Sequence, residues 1–184
     1  MKKLFLIMVM GMMSLSLCAQ DCKNSLAISF GTITHRTFRG LGQSEYWDDE
    51  DEKGEYFGSF SLEYFRNLNK IFGVGAIANY EHEKEPLIDL YGNYIALMPT
   101  IRAYWFNHTN EKVNFAMYSK LAVGPDLCIR SYDTGSETKS ETSIKLAFQA
   151  SVISFEVGGR RLRGFLELGY GMQGIVNIGL RYSF

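Results

Sequence analysis

Apolar and polar residues alternate along the chain, most plainly in its last stretch. From Val176 to Phe184 every second side chain is apolar, and the residues between them are polar or glycine. A period of two places successive side chains on opposite faces of a β-strand, so this stretch predicts a strand with one apolar and one polar face. An aromatic ring at its end is typical of a strand whose apolar face meets lipid and whose end lies at the membrane interface.

Seven earlier stretches show the same alternation and predict seven more strands. These strands are predicted at about residues 25–38, 55–66, 72–80, 93–106, 112–124, 143–157 and 163–171. The alternation blurs from Ile153 to Gly158, which predicts a β-bulge. Pro99 lies within a strand and cannot donate to the ladder, which predicts a bulge or kink there, or alternatively a lateral opening for a lipid or hydrophobic ligand.

The connections between these strands alternate in length. Residues 39–54, 81–92 and 125–141 form long polar connections, whereas the turns between them are short, as is the last turn at Met172 and Gln173. An even number of strands with long loops at one end and short turns at the other is typical of transmembrane barrels. A soluble lipocalin-like or streptavidin-like barrel would show the same alternation.

Charge distinguishes the two kinds of barrel. Six charged residues inside the predicted strands share the polar face: Glu63, Arg102, Lys120, Lys145, Glu167 and Arg181. The interior of an eight-stranded barrel is only just wide enough for side chains, and the ring-rich apolar face is too bulky to fill it. The apolar face is therefore predicted to meet lipid, and the six charges to form a lumen charge network. Paired charges that plug the lumen are favoured over a narrow ion path.

The start of the chain has the plan of a secretory signal peptide. A basic start precedes an apolar run from Leu4 to Leu17 and a small residue at Ala19, so residues 1–19 are predicted to be removed and residues 20–184 to form the barrel domain. The alternative is a lipoprotein signal with Cys18 as the lipidated residue. No later apolar run reaches the roughly 20 residues of a spanning helix.

The predicted mature chain is mildly acidic. Of 19 Lys and Arg, two lie in the signal peptide, which leaves 17 against 20 Asp and Glu. This balance argues against nucleic acid as a partner. Two mature thiols remain, Cys22 and Cys128, and the strand order places them at opposite ends of the barrel. We therefore expect no disulfide within the chain.

The last eight residues carry a family resemblance. Asn177, Gly179, Tyr182 and Phe184 match the polar, glycine and two aromatic positions of the C-terminal signal by which outer-membrane β-barrels are recognised by their assembly machinery. With the leader and the strand pattern, the chain resembles small eight-stranded barrels of the OmpA transmembrane-domain and OmpX kind, and the predicted outer-membrane β-barrel family of Gram-negative bacteria. It departs from OmpA in lacking a peptidoglycan-binding domain after the last strand.

This resemblance implies an integral outer-membrane protein of the cell envelope with both ends in the periplasm. Its implied partners are outer-membrane lipids, lipopolysaccharide and the assembly machinery, with no cofactor. The implied role is structural or surface-interacting and not enzymatic.

Enzymatic and metal-binding alternatives have weaker support. Small barrels that deacylate or acylate lipid A use a serine and a histidine, and here only His35 and His82, with Ser44 or Ser131, approach such a set at the loop end. No catalytic residue is therefore predicted. The acidic run 48–52 could bind a divalent cation, but it lacks the spacing of a calcium loop and is interpreted as a solvated loop, so no metal site is predicted.

Overall fold

The computed structural model describes residues 23–34, 36, 55–85, 90–109, 113–133 and 138–184. Its eight strands are β1 (Asn24–Thr32), β2 (Glu55–Asn67), β3 (Phe72–Glu85), β4 (Leu90–Thr109), β5 (Asn114–Asp133), β6 (Thr138–Gly158), β7 (Leu162–Gly171) and β8 (Val176–Ser183). Each strand pairs antiparallel with its neighbours in chain order, and β8 pairs with β1 to close the barrel. The predicted eight-stranded antiparallel up-and-down barrel is confirmed. No helix in the described ranges has the length and apolar character to cross a bilayer.

The barrel has two unlike ends. At the turn end lie the start of β1, the end of β8 and the β2–β3, β4–β5 and β6–β7 connections; at the loop end lie the other connections. The signal peptide, Cys22 and the whole of the connection 39–54, with its acidic run 48–52, lie outside the described residues. The predictions about them therefore stay predictions.

The two faces of the barrel wall are as the alternation predicts. Most leucine, isoleucine and aromatic side chains point outward, and Ile28 is 62% exposed. The intervening residues point inward, and Glu63 and Arg102 are buried. In β1 the residues 25, 27, 29 and 31 are buried while their neighbours are partly or fully exposed. The core of this protein is therefore a polar lumen, enclosed by a wall with an apolar outer face.

The wall has unequal height around the barrel. β4, β5 and β6 have 20, 20 and 21 residues, whereas β1, β7 and β8 have 9, 10 and 8. The loops predicted at 81–92 and 125–141 are wrong in their bounds, because both hairpins continue as paired strands almost to their tips. Leu90 pairs with Glu85, and Asp133 pairs with Thr138. Continued pairing satisfies backbone groups that a loop would leave to water.

The first strand ends earlier than predicted, at Thr32 and not near residue 38. Ile33 follows with a φ of +53°, a left-handed conformation that a β-branched residue rarely adopts. The chain turns at this point towards the barrel interior, because Thr34 is fully buried and its hydroxyl donates to Glu81 at 2.6 Å.

Two of the irregularities in the wall bear on the sequence predictions. The predicted bulge in β6 is present just before the expected range, because the register with β7 shifts between Ser151 and Ile153. Pro99 produces no register shift on either side of β4. The β4–β5 pairing is interrupted there for three residues, and Pro125 lies on the facing strand. Neither proline has an N–H to donate, which accounts for the gap in the ladder.

Candidate functional site

The lumen near the turn end holds an ionic network centred on Glu63. Its carboxylate accepts hydrogen bonds from Lys120 Nζ at 2.8 Å and from Gln173 Nε2 at 2.8 Å. Two guanidinium groups face its other oxygen, Arg181 Nη2 at 3.4 Å and Arg102 Nη2 at 3.8 Å. Glu63 is fully buried, so this cluster of cations offsets the cost of desolvating its charge.

Two further carboxylates complete the network. Glu167 contacts Lys120 Nζ at 2.5 Å and accepts a hydrogen bond from Tyr118 at 2.7 Å. Glu156 pairs with Arg181 and, at 2.6 Å, with Arg163. Three buried carboxylates thus face three buried cations, with the partly exposed Arg163 as a fourth towards the turn end. A near-balanced set of charges is what a dry interior tolerates.

Aromatic rings support the cations where carboxylates do not reach them. The Arg102 guanidinium lies 3.6 Å from the ring centroid of Phe65 and 4.5 Å from that of Tyr118. It also donates a hydrogen bond to Tyr104 at 2.9 Å. Arg181 lies 4.6 Å from the ring of Phe165. A desolvated guanidinium over a ring face gains cation–π stabilisation, so these rings act as part of the network.

The turn between β7 and β8 is folded into the lumen. Met172, Gln173 and Gly174 are all buried, and the Gln173 side chain accepts a hydrogen bond from Lys120 Nζ at 2.8 Å in addition to its bond to Glu63. The Gln173 backbone N–H donates to Gln149 Oε1 at 2.8 Å. The sequence predicted this short turn but not its inward direction, and the turn fills the middle of the barrel.

An apolar layer lies in the lumen beside this network. Its buried members are Ile77, Ala96, Met98, Ala122, Ala147 and Met172. Met172 comes from the inward turn, and the other five come from the barrel wall. The lumen therefore contains buried apolar side chains next to the ionic network, and these offer an ion no polar partner.

Arg36 lies at the loop end of the lumen. Its guanidinium pairs with Asp126, lies 3.5 Å from Glu81 Oε2 and stacks 3.7 Å from the ring centroid of Tyr94. Burial lowers the pKa of Arg36, but the carboxylates of Asp126 and Glu81 raise it by more, so its pKa lies above the ordinary value. Arg36 therefore stays charged, and it covers the buried thiol of Cys128 at 3.9 Å.

The structure brings together five of the six charges named from the sequence. Glu63, Arg102, Lys120, Glu167 and Arg181 meet in the lumen. Lys145 does not, and its assignment to the network is wrong. Its parity is inward, but it lies on the part of β6 that extends above the point where β7 ends, and it is exposed there.

The strand alternation does not predict the lumen position of several buried charged residues. Glu156 follows the bulge, where the parity was ambiguous, and Glu81 and Asp126 were assigned to loops. The signal for Asp126 is present in the sequence, because the alternation of β5 continues past Pro125 to the buried Cys128. Arg36 had no signal of this kind, because it lies outside any strand.

The residues of the predicted assembly signal also have local contacts. The Asn177 amide donates to Glu167 Oε2 at 3.2 Å in the lumen. A Cβ at Gly179 would lie 2.5 Å from the Phe165 ring and 2.4 Å from the Ile28 carbonyl oxygen, so no larger residue fits. The rings of Tyr182 and Phe184 stack, with centroids 6.3 Å apart. Each residue is thus explained by the fold, and recognition by the assembly machinery stays a prediction.

The described histidines do not form a catalytic arrangement. His82 Nδ1 lies 3.0 Å from Asn93 Oδ1, and the exposed His108 stacks on Phe106 at the turn end. His35 and Ser44 lie outside the described residues. No group of three or more metal-ligating side chains is found in the described part of the chain.

Comparison with known proteins gives structural but not sequence matches. No family model and no curated protein matches the chain. The N-terminal β-barrel domain of OprF from Pseudomonas aeruginosa is 10% identical, covers 88% of this chain and 98% of its own length, and has a TM-score of 0.46. Ail, the attachment invasion locus protein of Yersinia pestis, is 17% identical, covers 88% and 97%, and has a TM-score of 0.46. The chain is similar to these proteins, and its own strand register establishes the barrel.

Proposed function

We propose that this protein is an integral outer-membrane barrel that does not conduct and has no catalytic role. In this proposal the turn end faces the periplasm, and the tall wall formed by β4, β5 and β6 rises at the cell surface as the interaction surface. The observation that carries the proposal is a barrel with an apolar outer face whose lumen holds buried ion pairs, the inward turn and Arg36.

The outer face supports a membrane location. Large apolar side chains exposed on all eight strands would be costly in water, whereas a closed barrel satisfies its backbone groups within lipid. Aromatic residues lie near the turn end, including Tyr64, Phe72, Trp105 and Tyr182, as expected for an interfacial girdle.

The lumen supports a closed state. An ion entering from the loop end would have to displace Arg36 and then cross the apolar layer around Met98. It would next meet the Gln173 side chain, which bridges Lys120 and Glu63. Each of these side chains would lose its hydrogen bonds, ion pairs or packing contacts if the lumen opened. Opening would therefore require a large rearrangement of this structure.

Planar-bilayer recording tests the closed lumen. The wild-type protein is expected to show no steady conductance. A variant with Arg36→Ala, Met172→Ala and Gln173→Ala removes three of the side chains that occupy the lumen and is expected to produce conductance steps. Arg160→Ala, at an exposed turn position, serves as the control. Steady conductance of the wild-type protein would contradict the proposal.

Cysteine labelling of intact cells tests the location and orientation. Ser140→Cys lies on the tall wall and is expected to react with a membrane-impermeant maleimide. Lys70→Cys lies in the β2–β3 turn and is expected to react only after the outer membrane is permeabilised. Both positions are exposed, so accessibility within the fold does not distinguish them. Equal labelling of the two variants in intact cells, or recovery of the protein in the soluble periplasmic fraction, would refute the proposed location.

A further inference from the structure

An apolar groove lies on the outer face of the wall, over the seam where β8 pairs with β1. It has a volume of about 300 Å³. Its lining includes Leu26, Ile28, Leu162, Leu180, Tyr182 and Phe184. All six lie in the half of the wall next to the turn end, and the register places Leu26 opposite Tyr182 and Tyr182 opposite Leu162.

Cations border this groove at the turn end. Arg161 directly precedes Leu162, and its carbonyl accepts a hydrogen bond from the Ser183 N–H at 2.7 Å. Lys23 directly precedes β1, and Arg66 is paired with Asn24 on the neighbouring strand. Arg160 is the fourth cation, and the side chains of all four are exposed.

Negative charge is scarce at this end. The described residues of the turn end include no exposed Asp or Glu. The loop end is different, since the partly exposed Glu83 and the exposed Glu141 lie there. Four cations therefore border the groove. No exposed Asp or Glu among the described residues of the turn end neutralises them.

We propose that this groove binds an anionic glycerophospholipid of the periplasmic leaflet. One acyl chain lies along the groove, and the phosphate is held by the bordering cations. Arginine binds phosphate through paired N–H donors, and basic clusters next to an apolar surface attract anionic headgroups. The inference rests on the membrane orientation proposed above, because only that orientation brings this end to the periplasmic leaflet.

The groove differs from the rest of the wall in combining two features. Lipid chains cover the whole outer face, but most of that face carries protruding side chains such as Leu121 and Ile101. Here a recess for a chain and a cluster of cations lie next to each other. The combination predicts a preference between headgroups at this place, whereas the remaining outer face takes lipids without preference.

Retention of lipid by the full-length barrel tests the proposal. The protein is inserted into nanodiscs that contain phosphatidylglycerol and phosphatidylcholine in equal amounts, then extracted in mild detergent, and the lipids that remain bound are measured by mass spectrometry. Wild-type protein is expected to retain phosphatidylglycerol several-fold over phosphatidylcholine. Arg160→Ser with Arg161→Ser is expected to bring this ratio close to one.

Matched variants separate the two features of the groove. Leu180→Trp fills it and is expected to reduce the total retained lipid. Leu121→Trp is a matched control, because the two leucines are 53% and 52% exposed and Leu121 lies on β5. Lys70→Ser removes a cation at the same end away from the groove and is expected to leave the ratio unchanged.

The outcomes also separate this inference from the proposed function. Equal retention of the two lipids by the wild type would overturn it, as would a fall with Lys70→Ser as large as with the arginine pair, or no effect of Leu180→Trp. In all of these cases the barrel has inserted, as its heat-modifiable gel mobility shows, and the membrane assignment stands. A protein that fails to insert into any bilayer would refute both.

Discussion

The contacts of Glu63 lead to a quantitative prediction about the lumen. Replacing this carboxylate in Glu63→Gln removes the charge that faces Lys120, Arg181 and Arg102. Lys120 keeps Glu167 and Arg181 keeps Glu156, but Arg102 loses the one carboxylate it faces among the described residues. Removing one partner of a buried pair leaves an uncompensated charge, and the free energy of unfolding is expected to fall by about 3–5 kcal/mol.

If the loss of stability in Glu63→Gln comes from the unpaired charge of Arg102, replacing Arg102 as well should restore part of the stability. In Glu63→Gln with Arg102→Met the buried charges balance again, and the methionine packs on Phe65 in place of the guanidinium. Because a buried pair replaced by apolar groups is often neutral in stability, the double variant is expected to be more stable than Glu63→Gln by about 1–3 kcal/mol.

Urea unfolding in lipid vesicles measures these changes. Tryptophan fluorescence, to which Trp105 in the wall contributes, and the heat-modifiable gel mobility both report the folded barrel. Glu141→Gln removes an exposed carboxylate of β6 and is expected to change the free energy of unfolding by less than about 0.5 kcal/mol. The reasoning is refuted if Glu63→Gln behaves like this control, or if adding Arg102→Met lowers stability further.

Three further substitutions test other parts of the structure. Gly179→Leu is expected to cost about 1–3 kcal/mol on urea unfolding, because its side chain would meet the Phe165 ring, and Phe165→Ala is expected to recover part of the loss. Lys145→Gln is expected to stay within about 0.5 kcal/mol, and a loss as large as that of a lumen charge would return Lys145 to the network. Arg36→Ala is expected to speed maleimide labelling of Cys128 in the folded protein, once the other mature thiol is replaced by serine; an unchanged rate would mean that Arg36 does not cover the thiol.

The strand alternation predicts the barrel well because the pleat leaves little freedom. Once Leu62 and Tyr64 are placed on the outer face, Glu63 must point inward, and the same holds for Arg102 between Ile101 and Ala103. The narrow interior of an eight-stranded barrel then decides which face meets lipid. Strand number, faces and five of the lumen charges all follow from these two constraints.

Strand ends are less predictable, because a polar segment can be either a loop or a strand that extends beyond the wall. The sequence predicts that the fifth strand ends just before Pro125. Pro125 is an exposed residue within a longer strand, and the alternation continues through Asp126 and Cys128. Lys145 was misplaced for the related reason that parity gives the direction of a side chain but not the height at which the barrel encloses it.

The inward turn could not be read from the local pattern. Met172 and Gln173 are one apolar and one polar residue between two glycines, which predicts a turn without predicting its direction. Gly171 and Gly174 have φ values of +143° and +92°, which other residues rarely adopt. The partners of the turn, Lys120 among them, lie far away in the chain, so the direction depends on tertiary contacts.

The inward turn ties closure of the wall to filling of the interior. The strand that seals the cylinder also ends the turn that carries Gln173, so Gln173 reaches Glu63 on the second strand only when the last strand lies beside the first. A closed barrel with an empty lumen would lack the Gln173–Glu63 hydrogen bond, and an open sheet would lack both this bond and the β8–β1 pairing. Folding is therefore expected to be all-or-none, with the inward turn and the β8–β1 pairing formed in one step.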